Sequence, residues 1–279
     1  MMLRRYSTGC NRTPFRKTWD RWAFTLIELL VVLAIFGFLA AVSLPYVRDI
    51  GKGSAIRSAM HQLSQDLAYA RQRAISDRAE VYVVFLPNVS RWKGFVWDPP
   101  ALPPKQMEIA TNLLNLQYRG YAIVALRRAG DQPGRGRFRY ITEWKALPEG
   151  VFIPPSKFDE RFLMPFKLND ETVELKPFSW IPGKIRFPTA EGIHVPLPAV
   201  GFDPEGRLIL PGRNGEDELI PLCTGSVWPR RKGDEVGSLL PLDPDVIENP
   251  PGNWTNTYTI IRIDYLTGRA RVERPKIKG

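Results

Sequence analysis

Residues 23 to 44, AFTLIELLVVLAIFGFLAAVSL, are apolar except for one carboxylate, Glu28. No other segment restricts the architecture so tightly. About 20 apolar residues cover roughly 30 Å of hydrocarbon as a helix, so the run is long enough to span a bilayer. An acid inside it costs on the order of a few kcal/mol even on lenient insertion scales, and calls for a cationic partner or a functional reason. The residues ahead of the run are basic. Arg4, Arg5, Arg12, Arg16, Lys17 and Arg21 oppose Asp20 alone, a net charge of +5 over residues 1 to 23. Lys and Arg flanking a span stay on the cytoplasmic side, which puts the N-terminus inside and exports the bulk of the chain. An ordinary secretory signal shares this order but is cut after the apolar part at small residues, where Ala41-Val42-Ser43 would serve. An acid near the start of a disposable segment has no purpose, and this favours a helix that is kept.

The stretch Ala23-Phe24-Thr25-Leu26-Ile27-Glu28-Leu29-Leu30 resembles the prepilin cleavage and methylation signal of type IV pilins and type II secretion pseudopilins. The resemblance implies that a prepilin peptidase of the inner membrane removes residues 1–23, cutting between Ala23 and Phe24. It also implies that Phe24 becomes the N-methylated first residue, with Glu28 as the acid of the signal. The residue before the cut is Ala23 where the family usually has Gly. Gly37 and Pro45 fall where the family often has helix-weakening residues. Independently of any family, a carboxylate one turn into a helix favours the positive end of the macrodipole. The family's solution to an acid in lipid is a pair with the N-terminal amine of a neighbouring subunit, which sets axial register. A buried charge pair of this kind contributes more to docking specificity than to net stability. The bland alternative is a neutral Glu28 near the membrane interface, with no such role.

Beyond the span, Ser54 is a fair N-cap, and Ile56, Met60, Leu63, Leu67, Ala70 and Ala74 recur at three- and four-residue steps. That is the stripe of an amphipathic helix packed on a globular domain. Pro45, Gly51 and Gly53 between the two segments are expected to kink or locally melt it. Everything after residue 78 reads as all-β. Strands are expected at Glu80–Leu86, Gly120–Leu126, Phe138–Trp144 and Gly150–Ile153. Hairpins are expected at 199–210, about Asp203-Pro204-Glu205-Gly206, and at 257–274, about Thr267-Gly268, with Ala270 and Val272 facing inward. There are 26 prolines, against a usual frequency of about 5%. Their clusters at Asp98–Lys105, Leu147–Pro155 and Asp243–Pro251 read as rigid loops. The expected class is α+β, a long N-terminal helix followed by an antiparallel β-sandwich. The segments are a leader over 1–23, a transmembrane helix over 24–44, its amphipathic continuation over 45–78, and an exported domain over 79–279. This layout resembles the H-type minor pseudopilins and FimT-like minor pilins. The implied partners are other pilin subunits, the prepilin peptidase, an inner-membrane assembly platform and membrane lipid. The implied location is the inner membrane, single-pass, with the C-terminal domain periplasmic.

Catalytic chemistry is not indicated, and no cofactor is expected. His61 and His194 share no metal spacing, and no P-loop, GxSxG or HExxH occurs. Cys10 lies in the leader, which leaves Cys223 alone and excludes a disulfide framework. Asp243, Asp245, Glu248 and Asn249 could offer oxygens to Ca²⁺, but not at EF-hand spacing. The run Glu216-Asp217-Glu218 reads as a solvated loop. The formal charge of +10 falls to +5 without the leader, so bulk charge argues little for nucleic acid. Two clusters remain, Arg135, Arg137 and Arg139, and Arg269, Arg271 and Arg274 with Lys276 and Lys278. Arg269 and Arg271, two apart on a strand, share a face and could straddle phosphates. Residues 268–271 also match the Gly-Arg-x-Arg element that serves DNA binding in uptake minor pilins. The alternatives are a solvated strand face, a filament subunit, and a DNA-binding minor pilin.

Overall fold

The structure is a computed structural model that describes residues 25–91, 102–126, 139–159, 165–168, 171–213, 215–231, 241–253 and 259–273. The chain divides into two compact units, Met1–Arg48 and Asp49–Gly279.

The first unit contains the beginning of helix α1 (Leu26–Asp77). Every described side chain from Leu26 to Ala41 is exposed, including Leu26, Ile27, Phe36 and Phe38. Apolar residues lie on all sides of this segment, so no stripe is reserved for a core. Among the described residues no helix is long and apolar enough to cross a membrane. Pro45, Gly51 and Gly53 do not melt the helix; melting is one of the two outcomes expected for them. It is helical throughout 26–77.

The second unit buries the expected stripe of α1. Met60, Leu63, Leu67, Ala70 and Ala74 are all in its core, whereas Arg57 and His61 on the other face are exposed. The strands are β1 (Val81–Phe85), β2 (Gly120–Ala125), β3 (Arg139–Tyr140), β4 (Lys145–Ala146), β5 (Val151–Phe152), β6 (Pro165–Leu168) and β7 (Glu171–Glu174). They continue with β8 (Trp180–Phe187), β9 (Ile193–Phe202), β10 (Leu208–Ile209), β11 (Glu218–Arg231), β12 (Pro241–Glu248), β13 (Thr259–Ile263) and β14 (Ala270–Glu273). One sheet has the order β10-β9-β1-β2-β3, with β4 on β2 and β8 on β9; a second has β12, β13 and β5 paired with β11, and β14 on β13. Strands β6 and β7 form a separate pair, and all the pairings are antiparallel.

Alternation along β1 and β2 divides the interior. Val81, Val83, Phe85, Tyr121 and Ile123 join α1 and the second sheet's Ile220, Leu222, Ile261 and Ile263 in one core. Tyr82, Val84, Ala122 and Val124 face a second core with Met107, Ala110 and Leu113 of helix α2 (Pro104–Leu113). Each such aliphatic or aromatic side chain contributes about 1.5–3 kcal/mol on burial. The first sheet is thus covered on both faces, and α1 shares the core that two sheets alone would form in a sandwich.

Helix α2 corrects the all-β reading of the domain. Pro104 sits at its first position, where a missing N–H is harmless and a fixed φ favours entry. The proline cluster at 98–105 therefore starts a helix. Likewise Asp243 and Pro244 lie within strand β12, not in a loop. Polar contacts fix α1 to the first sheet. The Tyr121 hydroxyl donates to Asp66 Oδ2 at 2.6 Å, Lys145 Nζ to Asp66 Oδ1 at 2.7 Å, and Gln62 Nε2 to the Tyr121 hydroxyl at 2.8 Å. Burial and the Asp66 carboxylate push the Tyr121 phenol far above its usual range.

Candidate functional site

Two places correspond to the residues singled out in the sequence, and they lie in different units. In the first unit, the Glu28 N–H donates to Thr25 Oγ1 at 3.3 Å, and the Leu29 N–H donates to the Thr25 carbonyl at 3.1 Å. Thr25 is therefore the N-cap, and Glu28 is the third helical residue. Thr-x-x-Glu at these positions is the capping-box pattern, which satisfies otherwise orphaned N–H groups. The sequence reading noted the acid but missed the cap, although Thr25 three residues before Glu28 signals it. The Glu28 side chain is exposed, and among the described residues no cation pairs with it. Gly37 lies on α1 with no atom within 4 Å of the position a Cβ would take. Pro45 also lies within α1. Ala23 and Phe24 fall outside the described residues.

In the second unit, β13 and β14 form the expected last hairpin. The Asp264 N–H donates to the Arg269 carbonyl at 3.1 Å, and the Gly268 N–H to the Asp264 carbonyl at 2.8 Å. Gly268 has φ +60°, and a Cβ there would lie 2.1 Å from the Gly206 carbonyl oxygen. Hydrogen bonds from Thr267 hold the Asp264 carboxyl below the usual carboxylate range. Arg71 of α1 ties this turn to the 203–206 turn, donating from Nε to the Gly206 carbonyl at 3.1 Å and to the Thr267 carbonyl at 2.7 Å. Arg269 and Arg271 are both exposed, and neither forms an ion pair among the described residues. Arg262, directly across from Arg271, lies 3.4 Å from Asp217 and 2.8 Å from Glu273. Ala270 packs on the core, but Val272 is 41% exposed, so the inward position expected for it is only half covered. Arg274, Arg135 and Arg137 lie outside the described residues; Arg139 opens β3.

The remaining candidates are engaged structurally. Asp243 accepts from Asn88 Nδ2 at 2.9 Å and Ser90 Oγ at 2.5 Å, and Asp245 lies 3.3 Å from Arg230 Nη1. Among the described residues no group of three or more His, Cys, Asp or Glu could hold a metal ion. His61 and His194 are exposed on separate elements. Cys223 is fully buried in β11, where burial pushes its thiol well up.

The run Glu216-Asp217-Glu218 is not a solvated loop. Glu218 is fully buried and pairs with Lys157, which is 1% exposed. Lys157 Nζ also donates to the Lys176 carbonyl at 2.5 Å and lies 4.5 Å from the centroid of the Phe178 ring. Arg213 Nη1 reaches Glu218 Oε2 at 3.2 Å and the Pro177 carbonyl at 2.9 Å, and Lys176 Nζ reaches Glu216 at 2.7 Å. Burial lowers the Lys157 ammonium from its ordinary value, and the neighbouring Glu218 carboxylate opposes that shift. These side chains line a cavity of about 90 Å³ with Asp217 and Leu219. Three carboxylates face three cations there, so the cavity has no net charge to draw an ionic ligand. It fastens the start of β11 to the 155–159 and 175–178 segments.

Residues 23–44 match the family model for the prokaryotic N-terminal methylation motif. That motif is the processing and methylation signal of type IV pilins and pseudopilins, and the match covers 22 of the chain's 279 residues. No curated protein and no solved structure matches the chain.

Proposed function

We propose that the chain is a minor pseudopilin or pilin-like subunit, assembled into a periplasmic type II secretion pseudopilus or a type IV pilus-like filament. Its role is structural and not catalytic. Cleavage between Ala23 and Phe24 frees an amine four residues ahead of Glu28, and Phe24 is then methylated. The single observation that carries this reading is Glu28 at the third position of a capped helix whose surrounding side chains are apolar and exposed. A large exposed apolar surface needs a cover, and here lipid and sister helices supply it. In that setting Glu28 is stabilised by the amine of an adjoining subunit, and the chain is anchored in the inner membrane with residues beyond the span on the periplasmic side. Closeness to the H-type minor pseudopilins rests on the layout of α1, β1 and the last hairpin.

Mass spectrometry of the chain from membranes is expected to find methyl-Phe24 at its N-terminus. Glu28→Leu is expected to lower incorporation into filaments by about tenfold or more, the factor given by about 1.4 kcal/mol of lost pairing. A native N-terminus elsewhere, or unchanged incorporation, refutes the reading.

A second reading is a DNA-binding minor pilin. Two exposed guanidiniums on one face, Arg269 and Arg271, support it. Two phosphate contacts give a log–log salt slope of only about −1.8, from roughly −0.9 per contact. On this reading a duplex-binding titration is expected to lose that slope in Arg269→Ala/Arg271→Ala. No binding near physiological salt leaves the filament subunit.

A further inference from the structure

Strand β14 ends its sheet, and among the described residues β13 alone pairs with it. The closing pair of the hairpin, Asp264 and Arg269, is joined by the hydrogen bond from Asp264 N to Arg269 O. Hydrogen-bonded and non-hydrogen-bonded pairs alternate along an antiparallel ladder. From the register, Arg262 with Arg271 and Ile260 with Glu273 are therefore bonded pairs, whereas Ile263 with Ala270 and Ile261 with Val272 are not. The N–H and C=O groups of Ala270 and Val272 point away from β13. No hydrogen bond among the described residues uses them.

Such a row is a template for another strand unless it is blunted by proline, by an inward-pointing charge or by a covering segment. β14 has no proline, its inward side chains are Ala270 and Val272, and Val272 is 41% exposed. Its outward face carries Arg269 and Arg271, both exposed, whereas the Glu273 carboxylate is taken by Arg262 at 2.8 Å. Two copies of β14 paired antiparallel with Ala270 opposite Val272 would bring Arg271 against Arg271, which is unfavourable for directly opposed residues. The complement is a strand with acids on its outer face and small or β-branched residues on its inner face.

We propose that β14 is a docking edge for an extended acidic segment of a neighbouring subunit, which adds to the second sheet by backbone pairing at Ala270 and Val272. The inference rests on the filament-subunit reading and deepens it. Backbone hydrogen bonds supply the attachment, and alternate side chains supply the selectivity. The incoming inner-face residues cover Val272, and its acids meet Arg269 and Arg271. A four-residue edge gives a weak contact alone. In a filament the packed N-terminal helices hold the subunits together and raise the effective concentration of the segment.

The test uses the full chain in detergent and an end-blocked nine-residue peptide of alternating Glu and Val. The peptide is expected to slow hydrogen exchange at the Ala270 and Val272 amides, and a Lys/Val peptide is not. Val272→Pro is expected to weaken binding at least tenfold. It removes an N–H that β13 does not use, so the Arg271 and Glu273 amides stay protected and report an intact hairpin. Arg271→Glu is expected to shift preference toward the Lys/Val peptide, whatever the outcome with proline. Absence of protection at Ala270 and Val272, or equal binding by Val272→Pro with its hairpin intact, overturns the proposal. So does duplex DNA occupying this face with an affinity that Val272→Pro leaves unchanged. Glu28→Leu tests filament incorporation and does not touch this edge, so failure of the docking edge is distinguishable from failure of the subunit reading.

Discussion

Glu218→Ala is expected to destabilise the second unit by about 3–5 kcal/mol, the penalty for leaving a buried charge without its partner. Lys157 would remain 1% exposed, with a backbone carbonyl and the Phe178 ring as its other close neighbours. Neither neutralises an ammonium. Replacing both partners, as Lys157→Met/Glu218→Leu, is expected to fall within about 2 kcal/mol of the parent chain, because the pair's desolvation offsets most of its attraction. Arg213 keeps Glu216 and the Pro177 carbonyl in that double variant. Denaturant midpoints at constant slope measure both values. A double variant as damaged as Glu218→Ala would show that packing, not charge, governs the site.

Gly268→Ala is expected to cost about 3 kcal/mol, well beyond a surface turn substitution. Part of that is the left-handed backbone, at φ +60°, which disfavours any Cβ. The larger part is contact, since the new methyl would lie 2.1 Å from the Gly206 oxygen. Arg71 holds the two turns together by donating to both, so neither can retreat without losing a hydrogen bond. Gly212→Ala is the control. It has φ +80° with nothing within 4 Å, so it is expected to cost only the backbone share, about 1–2 kcal/mol. Equal thermal shifts for the two variants would remove the contact between the turns from the account.

Much of this architecture is legible in the residues. Strands β1 and β2 announce themselves as dense apolar runs, and the stripe from Met60 to Ala74 fixes the buried face of α1. The hairpins at 199–210 and 259–273 follow from their Gly-containing turns. What stayed hidden was hidden by proline. Pro182 and Gly183 interrupt β8, and Pro221, Gly225 and Pro229 punctuate β11, the longest strand of the domain. Each reads locally as a break. Yet β11 survives by changing partners, pairing with β13 over Glu218–Leu222, with β5 at Cys223 and Thr224, and with β12 beyond Gly225. A proline lacking a ladder bond is tolerated where its nitrogen faces away from the neighbouring strand. The buried ion pair was missed for a related reason. Glu218 adjoins two acids, which suggests solvent, but it is also in phase with the buried Ile220 and Leu222. Its partner Lys157 is the one charge in the mainly apolar stretch Phe152 to Phe158, which was the available signal. The candidate site was legible at Glu28 as an acid in an apolar run, whereas the open edge of β14 depends on hydrogen-bond phase. Phase becomes visible only once the register of a hairpin is known.

The position of Cys223 has a consequence for the proposed life of the molecule outside the cytoplasm. With Cys10 inside the proposed leader, the processed chain would keep a single cysteine, enclosed in β11 and held as the unreactive thiol. A chain so made folds without help from thiol oxidases or isomerases, and it offers no handle for mixed-disulfide adducts while it stays folded. In an oxidising milieu its durability would come from two packed interiors and from side chains that lash helix to sheet, not from a covalent cross-link.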